Sequence, residues 1–359
     1  MSISGVVCRW LKVPASRGKV SLAGGDSAEP AKPVDVILVE IQTTEGVTGL
    51  GVTLSHHGGA AALLALLEHD IAPLVRDEDA AAHEKIGAKV KQSLRRLDSD
   101  GLISRAYAAI DIALWDLKGK LANLPLWRLL GAARPTASAF LTVRETRQAA
   151  KKAAELGAIG VRVELAACDP EADAQTVGEV RASLGDAAWL AAAANERYDL
   201  GTALALGQIF DNEYALDWFE SPTISSDIRA YRKLSSRLDL AIATGDRFRS
   251  PSDARGWLRH PIARVLRPDV LRLGGITPWL RLAAMAEPTP IVLSPYRLPE
   301  IGIHLACGIQ IVQAVEWVDT LSPLWEVGPE FRNGQLVPPT APGLGLVLNE
   351  KTVKRLAVS

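Results

Sequence analysis

Four carboxylates close short apolar runs in the second half of the chain: Glu220 in LDWFES, Asp246 in LAIATGD, Asp269 in VLRPDV and Asp319 in AVEWVD. Each lies at the polar end of strand-forming residues, where a parallel barrel gathers the side chains of its active face. Four carboxylates meeting at one rim repel one another and lose hydration, so protons or a cation must stand between them. An oxygen-rich donor set of that kind suits a hard cation. Arginines crowd the same expected rim: Arg144 after ASAFLTV, Arg162 in IGVRVEL, Arg247 beside Asp246 and Arg297 beside Tyr296. A guanidinium keeps its proton and grips carboxylates in bidentate fashion. A second chemistry is therefore open, in which the rim holds no metal and arginines neutralise the acids and bind an anionic ligand. The plainer alternative for each arginine is a solvated loop residue or a structural ion pair.

The elements that must position these residues are legible as an alternation of strand-like and helical stretches from about residue 137 to 320. The runs are ASAFLTV, IGVRVEL, AAWLAAAAN, ALDWFES, LAIATGD, ARVLRPDV, TPIVLSP and AVEWVD. Their terminal positions, from Glu164 through Ala193, Glu220, Asp246, Asp269 and Tyr296 to Asp319, are separated by 29, 27, 26, 23, 27 and 23 residues. A strand, a loop, a helix and a return loop need about that length, and eight such runs predict a closed parallel barrel. A doubly wound sheet is disfavoured because no G-x-G-x-x-G follows an early strand.

Upstream, VDVILVEIQT (34–43) predicts a strand and TTEGVTGLG (43–51) a turn and a second short strand, with Gly46, Gly49 and Gly51 as hairpin and bulge positions. Residues 58–96 are helical in texture, and 101–121 predict a helix apolar around most of its circumference, hence buried. After Pro323 a Gly- and Pro-rich tail carries only short extended pieces. The expected organisation is an α+β capping domain over residues 1–132, a modified TIM barrel, (β/α)₇β, over 133–322, and a segment 323–359 that folds back on the cap.

Composition excludes several classes. Hydrophobic residues make up 48%, charged residues 23%, and the net charge is −1, so no global field recruits nucleic acid or an anionic membrane. Cys8, Cys168 and Cys307 fit neither a disulfide framework nor zinc-finger spacing. The opening MSISGVVCRW has no signal-peptide pattern and no apolar run is long enough to span a bilayer, which leads to an expected cytoplasmic location.

Several stretches in order resemble the mandelate racemase and muconate lactonizing enzyme group of the enolase superfamily: AAIDIALWDLKGKLANLPLWRLLGA (108–132), LDWFESP (216–222), RPDVLRLGGITPWLRLAAMAE (267–287), SPYRLPEIGIHLACGI (294–309) and NGQLVPPTAPGLGL (333–346). The resemblance implies a Mg²⁺ held by three carboxylates at the ends of the third, fourth and fifth barrel strands. It also implies bases from a Lys-x-Lys pair on the second strand and a His-Asp dyad on the seventh and sixth, and an acid on the eighth. The reaction implied is removal of the proton α to a carboxylate through a metal-stabilised enediolate, as in a sugar-acid dehydratase or a racemase or epimerase, in a protein that is usually oligomeric. Carried over residue by residue, Glu220 and Asp246 match the second and third ligands, while the first aligns with Ala193 and leaves only Asn195 nearby. The Lys-x-Lys pair aligns with Arg162 and Glu164, the dyad with Asp269 and Tyr296, and the eighth-strand acid with Asp319.

These departures have physical consequences. Arg162 cannot act as a base, and Tyr296, with an ordinary phenol pKa near ~10, suits hydrogen-bond donation better than proton abstraction. Strands lie about 4.8 Å apart, so Glu164 reaches the space left at Ala193. It would serve there as a relocated ligand or a base, or else pair with an arginine. His56 and His57, in LSHHGGAA, fall where the family's cap carries a loop over the barrel mouth, and His56 is a candidate ligand contact. His304 sits in an apolar helical pattern and is expected in the core. Trp218 and Trp317 precede strand-end acids by two residues and are expected to share their facing into the barrel. Gly274-Gly275 is expected to be structural. The expected ligand is a small carboxylate or sugar acid. The alternative is a catalytically degenerate, metal-free binder of a small anion.

Overall fold

The computed structural model describes residues 1–14, 33–56, 58–97, 99–143, 147–167 and 169–358; His57, Arg144 and Cys168 lie outside them. Three antiparallel strands open the chain, β1 (Ile3–Val13), β2 (Val34–Thr43) and β3 (Thr48–Ser55), in that spatial order. Gly46 turns the β2–β3 hairpin at φ 81°, a conformation glycine adopts without steric cost. Gly49 and Gly51 are not bulges. A Cβ on Gly51 would stand 1.9 Å from the Ala109 carbonyl oxygen, and one on Gly49 2.3 Å from that of Ala113. The two glycines let the helix Ser104–Leu121 lie directly on the sheet.

That helix is apolar around its circumference because it is covered from both sides. Its two buried carboxylates are both engaged. Asp111 accepts from the Thr277 backbone N–H (2.9 Å) and hydroxyl (2.6 Å), which fixes the start of the helix Ile276–Ala286. Gly275 packs so closely on Asp111 that a Cβ would lie 2.3 Å from its Oδ2. The Gly-Gly step therefore serves this junction. Asp116 accepts from the backbone N–H groups of Leu50 and Leu344, each at 2.7 Å, and pairs with Lys120.

Eight short strands follow: β4 (Ala137–Val143), β5 (Gly160–Glu164), β6 (Trp189–Ala193), β7 (Trp218–Glu220), β8 (Ala241–Thr244), β9 (Val265–Leu266), β10 (Val292–Leu293) and β11 (Ala314–Trp317). Neighbours from β4 to β10 pair in parallel, β11 pairs with β4, and a bridge between Leu293 and Val312 closes the ring. Helices Arg147–Glu155, Pro170–Leu184, Leu200–Asn212, Ile228–Ser235, Arg255–Arg259, Ile276–Ala286 and Pro299–Gly308 separate successive strands. This is a modified TIM barrel, (β/α)₇β, under a cap. Asp169, Asp199 and Asp227 cap three of the helices by accepting from backbone N–H groups of their first turns.

The tail adds β12 (Trp325–Val327), β13 (Glu330–Arg332), β14 (Gln335–Val337) and β15 (Val347–Leu348). Its hairpin β13–β14 pairs antiparallel onto β4, so part of the tail joins the barrel sheet. Beyond it, the helix Glu350–Leu356 packs on β1, and the Val358 N–H donates to Trp10 O at 2.8 Å. No helix among the described residues is long and apolar enough to cross a membrane.

Inside the barrel, side chains form layers, as the period of two along each strand requires. Phe140, Ala191, Trp218, Ala243 and Val265 form an apolar layer. Trp218 stands there as expected, with its ring 5.7 Å from Phe140. Trp317 does not: it stacks on Phe331 of β13 at 5.8 Å, outside β11. The inward position on that strand belongs to Glu316, which is in register with Phe140. The strand's parity is thus opposite to the expected one.

Candidate active site

Directly above the apolar layer lies a charged one. Arg162 on β5, Glu220 on β7, Arg267 just past β9 and Glu316 on β11 are 2%, 2%, 0% and 2% exposed. Arg162 grips Glu220 with a fork, Nε to Oε2 and Nη2 to Oε1, both at 2.8 Å. Arg267 bridges the two acids: Nη1 donates to Glu220 Oε2, and Nη2 donates to Glu316 Oε2 at 2.6 Å. Thr142 donates to Glu316 from β4. Arg267 also lies over three aromatic rings, Phe140 and Tyr296 at 5.2 Å and Trp218 at 5.7 Å.

The fork spans two strand spacings. Arg162 is in register with Ala191 of β6, and Ala193 is in register with Glu220. At this level the inward residues of the intervening strand, Ala191 and Ala193, are alanines, so the guanidinium passes over β6 to reach β7. Ala193 removes a carboxylate and also opens the path for Arg162. Burial alone would push Glu220 up, but the guanidiniums of Arg162 and Arg267 outweigh it and hold the carboxyl below its ordinary range. Glu316 likewise falls to about 2, burial being outweighed by Arg267, Arg162 and Arg297. Burial works against the charge on Arg162, and Glu220 and Glu316 more than compensate, leaving it firmly protonated.

Over this layer the cap and barrel enclose a cavity of about 860 Å³, at the large end for a small-molecule site. Leu54, Ser55, His56 and Arg105 line it from the cap side. From the barrel come Glu164, Asn195, Asp246, Asp269, Tyr296 and Arg297, with Arg197, Arg247, Arg249, Arg272 and Glu300. Asn195, Glu196, Ser221, Arg297 and Leu298 all have positive φ, between 42° and 65°. Half of the non-glycine residues described in this state thus cluster on the loops at strand ends, where strain accompanies function more than packing.

The individual residues take these positions. Glu164, at the end of β5, accepts from Asn195 Nδ2 at 3.1 Å. Asp246 accepts from the Ser221 hydroxyl at 3.1 Å and lies 3.5 Å from Arg247. Burial, then the nearby charge of Glu220, raises its pKa. Asp269 caps the short helix Val270–Leu273 by accepting from the N–H groups of Leu271 and Arg272. Its other oxygen faces Arg105 at 3.9 Å and Arg272 at 3.8 Å. Tyr296 lies between the guanidiniums of Arg267 and Arg297, and burial raises its phenol. Arg297 Nη1 meets His56 Nε2 at 3.3 Å, which joins cap to barrel. Since a guanidinium only donates, His56 Nε2 is the acceptor in this contact. Asp319 does not line the cavity. It is buried beside Glu300, between the lining residues Val318 and Thr320. Arg144 lies outside the described residues.

The donor set does not fit the divalent cation that the sequence resemblance implies. Ala193 offers no donor, and both Glu220 oxygens are held by Arg162 and Arg267. Among the described residues no three Asp, Glu, His or Cys side chains converge as a metal site.

Sequence reasoning missed Arg267, Glu316, Arg105 and Glu300. The first two were within reach. Arg267 stands two positions after Val265 on the inward face, and Glu316 two after Ala314. Arg105 and Glu300 sit on helices whose pattern gives no hint of the cavity.

Glu300 and His304 lie one turn apart on the helix Pro299–Gly308 and titrate in opposition. Burial pushes Glu300 up to about 7 and pushes His304 down to about 4. For Glu300 the folded chain binds the proton more tightly, so its contribution is complete below pH 4.5 and is lost as pH rises through about 7. For His304 the unfolded chain binds the proton more tightly, so its contribution is complete above pH 6.5 and is lost as pH falls through about 4. Between these limits the two slopes oppose. Glu300→Gln leaves only the histidine slope, and its stability relative to wild type should rise by roughly 3 kcal/mol from pH 4.5 to 7 in urea denaturation. A pH-independent difference would show that Glu300 is charged in the folded chain.

Residues 27–131 match the mandelate racemase / muconate lactonizing enzyme N-terminal domain, and residues 145–352 match the enolase C-terminal domain-like family. The chain is 29% identical to L-talarate/galactarate dehydratase of Salmonella typhimurium, with 95% of this chain and 86% of that protein covered. It is 25% identical to N-succinyl-L-Arg/Lys racemase of Bacillus cereus, covering all of this chain and 98% of the other. L-talarate dehydratase from Polaromonas sp. JS666, complexed with Mg and L-glucarate, superposes with a TM-score of 0.90 at 31% identity, over 100% of this chain and 98% of that one. With the barrel, the cap over its mouth and both domain matches in place, the chain belongs to the mandelate racemase / muconate lactonizing enzyme group of the enolase superfamily.

Proposed function

We propose that the cavity binds a small hydroxylated carboxylic acid and removes the proton α to its carboxylate, in the manner of a sugar-acid dehydratase or epimerase. The observation that carries the ligand class is the charge of the lining. Arg105, Arg197, Arg247, Arg249, Arg272 and Arg297 face Glu164, Asp246, Asp269 and Glu300. Six guanidiniums against four carboxyls leave an excess of two positive charges, and Glu300 is half-protonated near neutrality. A partly closed, cationic chamber with several hydrogen-bonding walls favours an anion bearing hydroxyls. The family's reaction, as in the dehydratases and racemases this chain is similar to, supplies the reaction class.

In this reading Arg105 and Arg297 hold the substrate carboxylate and stabilise the enediolate charge that develops on it. Glu164, oriented by Asn195, takes the α-proton, and the C–H electron pair enters the enediolate. In a dehydration, the β-hydroxyl then leaves as water with a proton from Asp246, a carboxyl whose pKa burial raises. The enol left behind tautomerises to the keto acid. Returning a proton to the other face of the α-carbon gives epimerisation instead.

The test is proton NMR in D₂O with galactarate, L-talarate and galactonate, alongside calorimetric binding of each acid. The expected result is binding of at least one acid with loss of its α-proton signal. Glu164→Gln should slow that loss by about 10²–10⁴-fold while retaining binding, and Arg297→Met should weaken binding itself. Failure of every acid to bind would overturn the ligand class. Binding without exchange in the wild type would overturn the reaction.

A further inference from the structure

We infer that the internal guanidinium of Arg162, with that of Arg267, takes the place of a divalent cation at the barrel mouth, so that the protein folds without metal. Glu220 is the carboxylate that would anchor such a cation, and it has no free oxygen: Oε1 accepts from Arg162, and Oε2 accepts from both Arg162 and Arg267. Glu316 completes an alternating arrangement of two cations and two anions. A divalent ion beside one carboxylate would leave a surplus of charge. Two guanidiniums between two carboxylates balance it, and they satisfy each acid with charge-assisted hydrogen bonds.

Three features of the chain act together. Arginine at 162 supplies a permanent charge on a stem long enough to cross a strand. Alanines at 191 and 193 clear the crossing. Arginine at 267 bridges to the acid on β11. Metal entry would require breaking two bonds of a fully buried fork and moving Arg162 into space already filled by Thr142 and Glu316. The inference concerns the floor of the cavity, so it holds whichever ligand occupies the space above.

The experiment uses the whole protein and Mn²⁺ alone, followed by electron paramagnetic resonance, with thermal unfolding in excess Mg²⁺ and in EDTA. The expected result is an unfolding midpoint that is the same in Mg²⁺ and EDTA, with no Mn²⁺ site that depends on Glu220. One equivalent of bound Mn²⁺ that disappears in Glu220→Gln would overturn the proposal. Binding that survives Glu220→Gln lies elsewhere and leaves the proposal standing. The double variant Arg162→Ala/Ala193→Asp removes the internal cation and restores a donor. It should bind Mn²⁺ at least about a hundredfold more tightly than the wild type and gain a Mg²⁺-dependent midpoint. If that variant does not fold, the wild-type and Glu220→Gln titrations decide on their own.

Discussion

Arg267→Ala is expected to cost about 5 kcal/mol of folding stability, at the upper end for breaking a buried ion pair. The side chain is fully buried, bonds two carboxylates at once and lies over three aromatic rings. Removing it leaves Glu316 with the Thr142 hydroxyl and the backbone N–H of Arg297 as its hydrogen bonds, neither of which carries a full charge. It also opens a cavity against the apolar layer below. Urea denaturation of the variant measures the loss directly. The penalty should shrink at acid pH, because Glu316 keeps its charge in the folded chain down to about 2 whereas the unfolded carboxyl protonates near its ordinary value. A group held low contributes stability above its unfolded pKa and loses that stability as pH falls through the folded one. A loss below about 1 kcal/mol at neutral pH would place Arg267 among solvated ion pairs and contradict the packed quartet.

Asp116→Ala should cost about 4 kcal/mol, because it strands two buried backbone donors whose loss is worth ~1–3 kcal/mol each, and a partly buried lysine besides. Asp116 joins three parts of the chain: β3 through Leu50, its own helix through Lys120, and the returning tail through Leu344. Gly343, just before Leu344, packs so tightly that a Cβ would sit 2.1 Å from Asp116 Oδ1. The tail should therefore loosen together with the cap. Hydrogen exchange over residues 343–358 should rise in the variant along with the drop in urea midpoint. A drop in midpoint without increased exchange there would mean that the tail is held by its other contacts alone.

The barrel was legible in the sequence because its signal is local. Each strand is a short apolar run, each βα unit has a fixed length, and the eight runs identified by pattern coincide with the eight strands. The buried character of 104–121 was legible for the same reason. The path of the tail was only partly so. Its folding back was expected from its Gly and Pro content, but the pairing of Gln335–Val337 with β4 depends on an edge that exists only once the barrel has formed. Gly49 and Gly51 carried the texture of turns, and only the helix lying on them gives their reason.

In the site, the residue types were legible and their partners were not. The sequence alone determined that acids and arginines would gather at the strand ends, that position 193 has no donor, and that Arg162 cannot be a base. Tertiary structure alone decided that Arg162 spans two alanines to reach Glu220, that Glu316 rather than Asp319 faces inward, that Asp269 is spent on a helix cap, and that Arg267 ties the floor together. Parity along a strand of four residues is set by its register with β4, at the opposite end of the barrel sequence. Whether a carboxylate meets a cation or a guanidinium depends on which side chain fills the same few cubic ångströms first, and no local pattern carries that information.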